Sequence, residues 1–116
     1  MENNPSAKLL RIFIGESDKT GSKPLYEAIV FEAKRQKLSG ATVMRGIMGF
    51  GANSMIHSAK LFDISSDLPV MIEIVDTEEK ITAFIKFVEE VFEETNSGGL
   101  ITTEKVEVIR YRSGKH

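Results

Sequence analysis

The first strongly patterned stretch is "KLLRIFIGES", residues 8 to 17, where Leu10, Ile12 and Ile14 alternate with Arg11 and Phe13. A period of two places these sets on opposite faces of a strand, which ends at Gly15. The run "SDKTGSKP" is turn chemistry, and Pro24 stands where a helix can start, because its fixed φ suits the first turn and its missing N–H costs nothing there. Leu25, Ala28, Ile29 and Ala33 then recur at helical spacing, and Gly40 marks the expected end of this helix. "ATVMRGIM", residues 41 to 48, reads as a second strand broken by "GFGANS"; an extended region resumes near Ala59, and "LPVMIEIVD", residues 68 to 76, is the clearest strand of the middle. Asp76 and Glu79 have capping-box spacing, and behind them Ile81, Phe84, Ile85, Val88 and Phe92 keep a strict helical stripe as far as "NSGG". "KVEVIRYR", residues 105 to 112, alternates again and is expected to be the last strand.

The order strand, helix, strand, strand, helix, strand is that of an α+β ferredoxin-like βαββαβ sandwich, a four-stranded antiparallel sheet with both helices on one face. On that reading Phe13, Met71, Val75, Ile109 and Tyr111 share the other face, and an open apolar sheet face marks an interface or a binding surface. The 116 residues fit a single domain, with 1–7 and 113–116 expected to be flexible tails.

Composition narrows the chemistry. Without cysteine there is no disulfide framework, zinc-thiolate site or thiol nucleophile. The start "MENNPSA" lacks a signal-peptide pattern, and the apolar runs fall far short of the roughly 18 residues a membrane helix needs, so the expected location is the cytoplasm. A formal net charge of −2 offers no global attraction to nucleic acid, and none is expected as a partner. His57 and His116 lack metal-ligand spacing, and no metal site is expected. The carboxylate pairs Glu78-Glu79, Glu89-Glu90 and Glu93-Glu94 fall on the exposed side of the second helix, where they keep it soluble, while Glu73 and Glu107 can pair with Arg11 or Arg110 across the sheet.

The stretch "RGIMGFGANSMIH", Arg45 to His57, holds three glycines and admits competing readings. An RNA-recognition motif would need Phe-Val where Ala52 and Asn53 stand and an aromatic in place of Met55. A phosphate-binding P-loop satisfies its glycines with Gly46 and Gly51 but finds Ala52-Asn53 where Lys-Ser/Thr is required. What remains is either a flexible hairpin tip or a loop whose backbone N–H groups approach an anion, provided cations converge from elsewhere. "SGGL", residues 97 to 100, and the pair Arg110 and Arg112 are the segments able to converge on it; alone, the glycines read as a helix terminator and the arginines as solvated.

At these residues a family likeness enters. "GATVMRGIMGFGANS" resembles the second strand and loop base of PII signalling proteins, and "VIRYRSG" resembles their arginine-x-arginine end; the span 8 to 112, through "LLRIFIGESDK" and "RGIMGFG", is most similar to a small PII-like family. The resemblance implies a homotrimer whose sheets pack about a threefold axis and whose intersubunit clefts bind an adenine nucleotide (AMP, ADP or ATP). It assigns the cleft to Gly49, Phe50, Gly51, Ala52 and Asn53, to Gly98 and Gly99, and to Arg110 and Arg112; beside that match, His57 and Lys60 are candidate loop contacts to ligand phosphate, although a lone loop histidine is more often merely solvent-exposed. Signalling would pass through the 51–60 loop, and the implied partner is a membrane transporter or channel. The loop is shorter than that of PII proteins and has no tyrosine, so PII-type uridylylation has no acceptor; Lys105 is the only cation near the second glycine loop, which puts AMP or ADP level with ATP. No catalytic set is present, and no cofactor is required. The alternatives are a small phosphate-handling enzyme of acylphosphatase type, whose loop after the first strand would carry arginine where "GESDKTGSKP" has only lysines, and a structural trimer without ligand.

Overall fold

In the computed structural model, which describes residues 1–52, 56–58 and 67–114, alternation in the first strand becomes the two faces of a sheet. Strand β1 (Ala7–Gly15) is followed by a small hairpin of β2 (Lys19–Thr20) and β3 (Lys23–Pro24), then helix α1 (Leu25–Arg35), β4 (Thr42–Arg45), β5 (Met48–Gly49), β6 (His57–Ser58), β7 (Pro69–Thr77), helix α2 (Glu78–Thr95) and β8 (Leu100–Lys105). The main sheet has the order β4-β7-β1-β8, with every pairing antiparallel. β1 and β7 form its centre in the register Leu9↔Val75, Arg11↔Glu73 and Phe13↔Met71.

The register puts Leu10, Ile12 and Ile14 with Val70, Ile72 and Ile74 on one face, buried against Leu25, Ile29 and Ala33 of α1 and Ile81, Phe84, Val88 and Val91 of α2. Both helices therefore cover the same face, as the α+β ferredoxin-like reading requires. Each fully buried Ile, Leu or Phe among these contributes about 1.5–3 kcal/mol of transfer free energy. Phe84 also stacks on Phe87 with ring centroids 5.8 Å apart.

Several element ends differ from the expectation. α1 stops at Arg35 and not at Gly40: Lys37 takes the left-handed conformation (φ 61°), its N–H donates to the Lys34 carbonyl, and the Leu38 N–H donates to the Ala33 carbonyl at 3.0 Å. This is a Schellman reversal with lysine at the position glycine usually holds, completed by Leu38 packing on the core. α2 is capped by Thr77, whose side chain accepts from the Lys80 N–H, and not by Asp76. Asp76 is buried, and its two oxygens accept from the Ser39 and Thr77 N–H groups, which ties the loop after α1 to the end of β7. α2 ends on Asn96 (φ 53°), with the Ser97 N–H on the Phe92 carbonyl.

The largest correction concerns the last strand, which runs from Leu100 to Lys105 and not from 105 to 112. Ile109 and Tyr111 therefore do not lie on the open sheet face. Phe13, Met71 and Val75 do, flanked by Leu9, Met44 and Leu100, and in their midst Arg11 donates to Glu73 at 2.8 Å and to Glu104 at 2.6 Å. The second strand is split into β4 and β5, and its return partner is β6; the extended region expected from Ala59 falls on residues 59–66, outside the described set.

Candidate functional site

Antiparallel order fixes which end of the sheet each candidate occupies. The β5–β6 hairpin rises from the end where β1 finishes and β7 begins: Gly49 pairs with His57, and the Gly46 N–H donates to the Pro69 carbonyl at 2.7 Å. Gly46 and Gly49 both pack on the Pro69 ring, where a Cβ would lie 2.8 Å and 3.2 Å from its Cγ. These two glycines are thus needed for close approach to the scaffold. Gly51 has open space around it, and Ala52 and Phe50, the latter 68% exposed, lie at the surface. Ile47, Met48 and Ile56 are exposed as well, so the hairpin presents an apolar surface around a bare glycine backbone. Asn53, Lys60 and the His57 side chain lie outside the described residues.

Gly98 and Gly99 occupy the same end of the sheet at its opposite edge, between α2 and β8. Gly99 is locked in place: a Cβ would meet the Phe92 ring at 2.7 Å and the Phe13 carbonyl oxygen at 3.0 Å, whereas Gly98 has nothing within 4 Å. A cavity of about 870 Å³ opens beside them along α2, lined by Glu89, Glu90, Glu93 and Glu94 with Lys86 as the cation. Its field repels phosphate, so size alone does not make it the anion site.

The arginines sit at the far end. β8 runs antiparallel to β1 until Lys105 meets Lys8, and the chain then passes beneath the start of β1: the Val106 N–H donates to the Ala7 carbonyl and the Asn3 N–H to the Val108 carbonyl. Tyr111 reaches across to the loop after α1, its hydroxyl donating to the Ser39 carbonyl at 2.5 Å. Arg112 forks onto Glu2, Nε to Oε1 at 3.1 Å, and the Tyr111 N–H donates to the same Oε1 at 2.8 Å. The Tyr111 N–H, then the Arg112 guanidinium, hold the Glu2 carboxyl below the usual carboxylate range. Arg110 is exposed and has no ion-pair partner among the described residues. At about 3.3 Å per residue, the length of β1 separates these arginines from the glycine loops by about 25 Å. One chain therefore brings the two glycine loops to one end and does not bring the arginines to either; a site uniting all three segments needs a second copy.

Two features escaped the sequence reading. Arg45, the first residue of the glycine stretch, places a guanidinium at the hairpin base, paired with Glu16 at 3.0 Å. Position was its only signal. The loop after β1 gathers carboxylates: the Gly15 N–H donates to Asp18 at 2.9 Å and the Ser17 N–H to Asp67 at 2.7 Å. Burial pushes the Asp18 carboxyl up, the Gly15 N–H opposes this, and the Asp67 charge adds to it. Backbone donors that could have met a phosphate are already filled by the protein's own carboxylates.

The sheet order and the two helices on one face define a ferredoxin-like fold, with a glycine hairpin inserted between β4 and β7. The chain belongs to the family described as DUF190, an uncharacterised ACR family, whose model matches residues 7–108. A UPF0166 protein of Aquifex aeolicus is 48% identical over 102 residues, covering 88% of this chain and 92% of its own. In fold the chain is similar to CPII, a nitrogen regulatory PII-like protein of Thiomonas intermedia in a structure bound to ADP, AMP and bicarbonate, with TM-score 0.67 and 20% identity over 90% of this chain and 89% of that one. It is also similar to a putative PII-like signalling protein of Thermus thermophilus, with TM-score 0.62 and 19% identity over 86% of each chain. Among the described residues no helix is long and apolar enough to cross a membrane.

Proposed function

We propose that this protein is a trimeric PII-like regulator that binds an adenine nucleotide in clefts between neighbouring copies and reports it through the 51–60 loop. The observation that carries the reading is the division of the candidate residues between the two ends of one sheet whose outer face carries Leu9, Phe13, Met71 and Val75 around the Arg11–Glu73–Glu104 cluster. Packing that face against other copies buries Leu9, Phe13, Met71 and Val75, and lets one copy's Arg110 and Arg112 meet another's Gly49–Asn53 and Gly98–Gly99. Exposed glycine N–H groups then take phosphate oxygens while guanidinium forks supply charge, with Arg45 a further cation at the hairpin base. ADP and AMP bound to a PII-like neighbour of the same fold support the choice of nucleotide. His57 and Lys60 belong to this reading as loop contacts.

The role is one of binding in the cytoplasm, without catalysis or nucleic acid, and the exposed hairpin is the element a membrane transporter or channel would engage. An acylphosphatase-type enzyme is disfavoured by the loop after β1, where Asp18 and Asp67 occupy the N–H groups such a phosphate site would use.

Calorimetric titration of wild type and Arg110→Ala with AMP, ADP and ATP tests the reading. The expected result is binding by wild type and its weakening by about tenfold or more in the variant, the loss of one charge-assisted contact. No binding of any nucleotide at millimolar concentration refutes it. Native mass measurement tests assembly separately, and a monomer removes the intersubunit cleft.

A further inference from the structure

The far end of the sheet carries a contact that the nucleotide reading does not use. The Glu2 carboxylate takes both donors of a ready-made anion site: the Arg112 guanidinium, through Nε at 3.1 Å and a terminal nitrogen at 3.5 Å, and the Tyr111 backbone N–H at 2.8 Å. A guanidinium fork closed by a neighbouring N–H is the donor set that a phosphate would engage, and two carboxylate oxygens satisfy it with the same planar geometry. Glu2 rides on a short segment whose other described ties are local turn bonds, one bond from the Asn3 N–H to the Val108 carbonyl and, at its junction with β1, one from the Glu78 N–H to the Ser6 carbonyl, with Asn3 in the left-handed region. The Arg112 side chain is 62% exposed, so an incoming anion can reach it. The C-terminal segment meanwhile keeps its own anchors, Val106 on Ala7 and the Tyr111 hydroxyl on Ser39, which do not involve Glu2. Glu2 can therefore leave without the segment losing its course.

We infer that Glu2 is a built-in competitor for the ligand: it occupies the Arg112 fork and must be displaced when a phosphate group arrives. The inference rests on the nucleotide reading above and adds regulation to it. A purely structural Glu2 would position Arg112, and its removal would weaken binding; a competitor gives the opposite sign.

The test is Glu2→Gln, which keeps the shape and an acceptor for the Tyr111 N–H but removes the charge, titrated with ADP beside wild type, Arg112→Ala and the double variant. The expected result is about two- to fivefold tighter ADP binding by Glu2→Gln, the range of a solvent-exposed ion pair, and no effect of Glu2→Gln on the Arg112→Ala background. Hydrogen exchange of the Tyr111 amide, which needs no ligand, is expected to rise severalfold in Glu2→Ala, which removes the acceptor. Unchanged exchange at Tyr111 in Glu2→Ala overturns the contact itself. Equal or weaker ADP binding by Glu2→Gln, in a protein that does bind ADP, overturns the competition and leaves the nucleotide reading intact. Absence of ADP binding in wild type and every variant refutes the nucleotide reading and the competition together, and the exchange measurement still decides whether Glu2 holds the segment.

Discussion

Gly98 and Gly99 are adjacent, and the structure gives them opposite sensitivities. At Gly99 an added Cβ would lie 2.7 Å from two ring carbons of Phe92 and 3.0 Å from the Phe13 carbonyl oxygen. Favourable carbon contacts begin near 3.5 Å, so the ring must retreat by about 0.8 Å. Phe92 is partly buried against the core and can turn only by disturbing it, and the Phe13 oxygen belongs to the backbone of the central strand. Gly99→Ala should accordingly cost about 1–3 kcal/mol, the usual range for overpacking. At Gly98 nothing lies within 4 Å and the backbone is outside the left-handed region, so Gly98→Ala should leave stability unchanged or raise it by about 0.4–1 kcal/mol by restricting the unfolded chain. Urea unfolding followed by far-UV circular dichroism reads both variants, with equal slopes as the check that the unfolded states match. A Gly99→Ala midpoint within error of wild type would refute the packing argument. ADP titration of Gly98→Ala then separates the roles: a stable variant with lost binding assigns Gly98 to the ligand, and unaltered binding removes it from the cleft.

Lys37→Gly should stabilise the protein by about 0.5–1 kcal/mol, because Lys37 holds a left-handed conformation at the end of α1 and its carbonyl, which accepts from the Lys80 ammonium, survives the change; a lowered urea midpoint would refute this. Asp18→Asn should stabilise most at neutral pH, by up to about 1 kcal/mol. The folded pKa of Asp18 lies above its ordinary 3.8, so its favourable contribution exists below the unfolded value and is lost as pH rises through the folded one. The difference between variant and wild type should therefore vanish below about pH 4, and a difference that grows toward acid would refute the sign.

The central strands and the second helix were legible because they bury one face against the same core. β7 alternates through its whole length and β1 from Leu9 onward, and Ile81, Phe84 and Val88 recur on a helical stripe. β8 was missed for the complementary reason. It is an edge strand in which only Ile101 packs on the core, so "LITTEK" carries almost no burial signal, while "VEVIRY" alternates without a partner strand. Periodicity reports which residues can alternate between two environments; it does not report whether a sheet edge is free at that register. Lys37 and Thr77 went unread because louder neighbours, Gly40 and Asp76, offered a terminator and a cap on composition alone. Asp76 is the instructive case. Its carboxylate is spent on the Ser39 and Thr77 N–H groups, a tertiary tie between residues 37 positions apart and a local one.

The shift of the last strand by several residues changes more than a boundary. Had 105–112 been in the sheet, Arg110 and Arg112 would project from its face; with β8 ending at Lys105 they lie past its far end, beside the N-terminal segment and the loop after α1. Residue type indicated that these arginines could grip an anion, and that remains their chemistry. What type could not indicate is that an anion is already there, supplied by a residue 110 positions away. The same holds after β1, where Asp18 and Asp67 satisfy the N–H groups of Gly15 and Ser17. Motif reading counts donors; only the fold shows which are occupied from within. A loop permanently filled by two partly buried carboxylates is closed to phosphate, whereas an exposed fork held by one exchangeable carboxylate on a short terminal segment stays available at a cost set by that contact. The difference between those two occupied sites separates the acylphosphatase-type reading from the nucleotide sensor more sharply than the arginines or the glycines do alone.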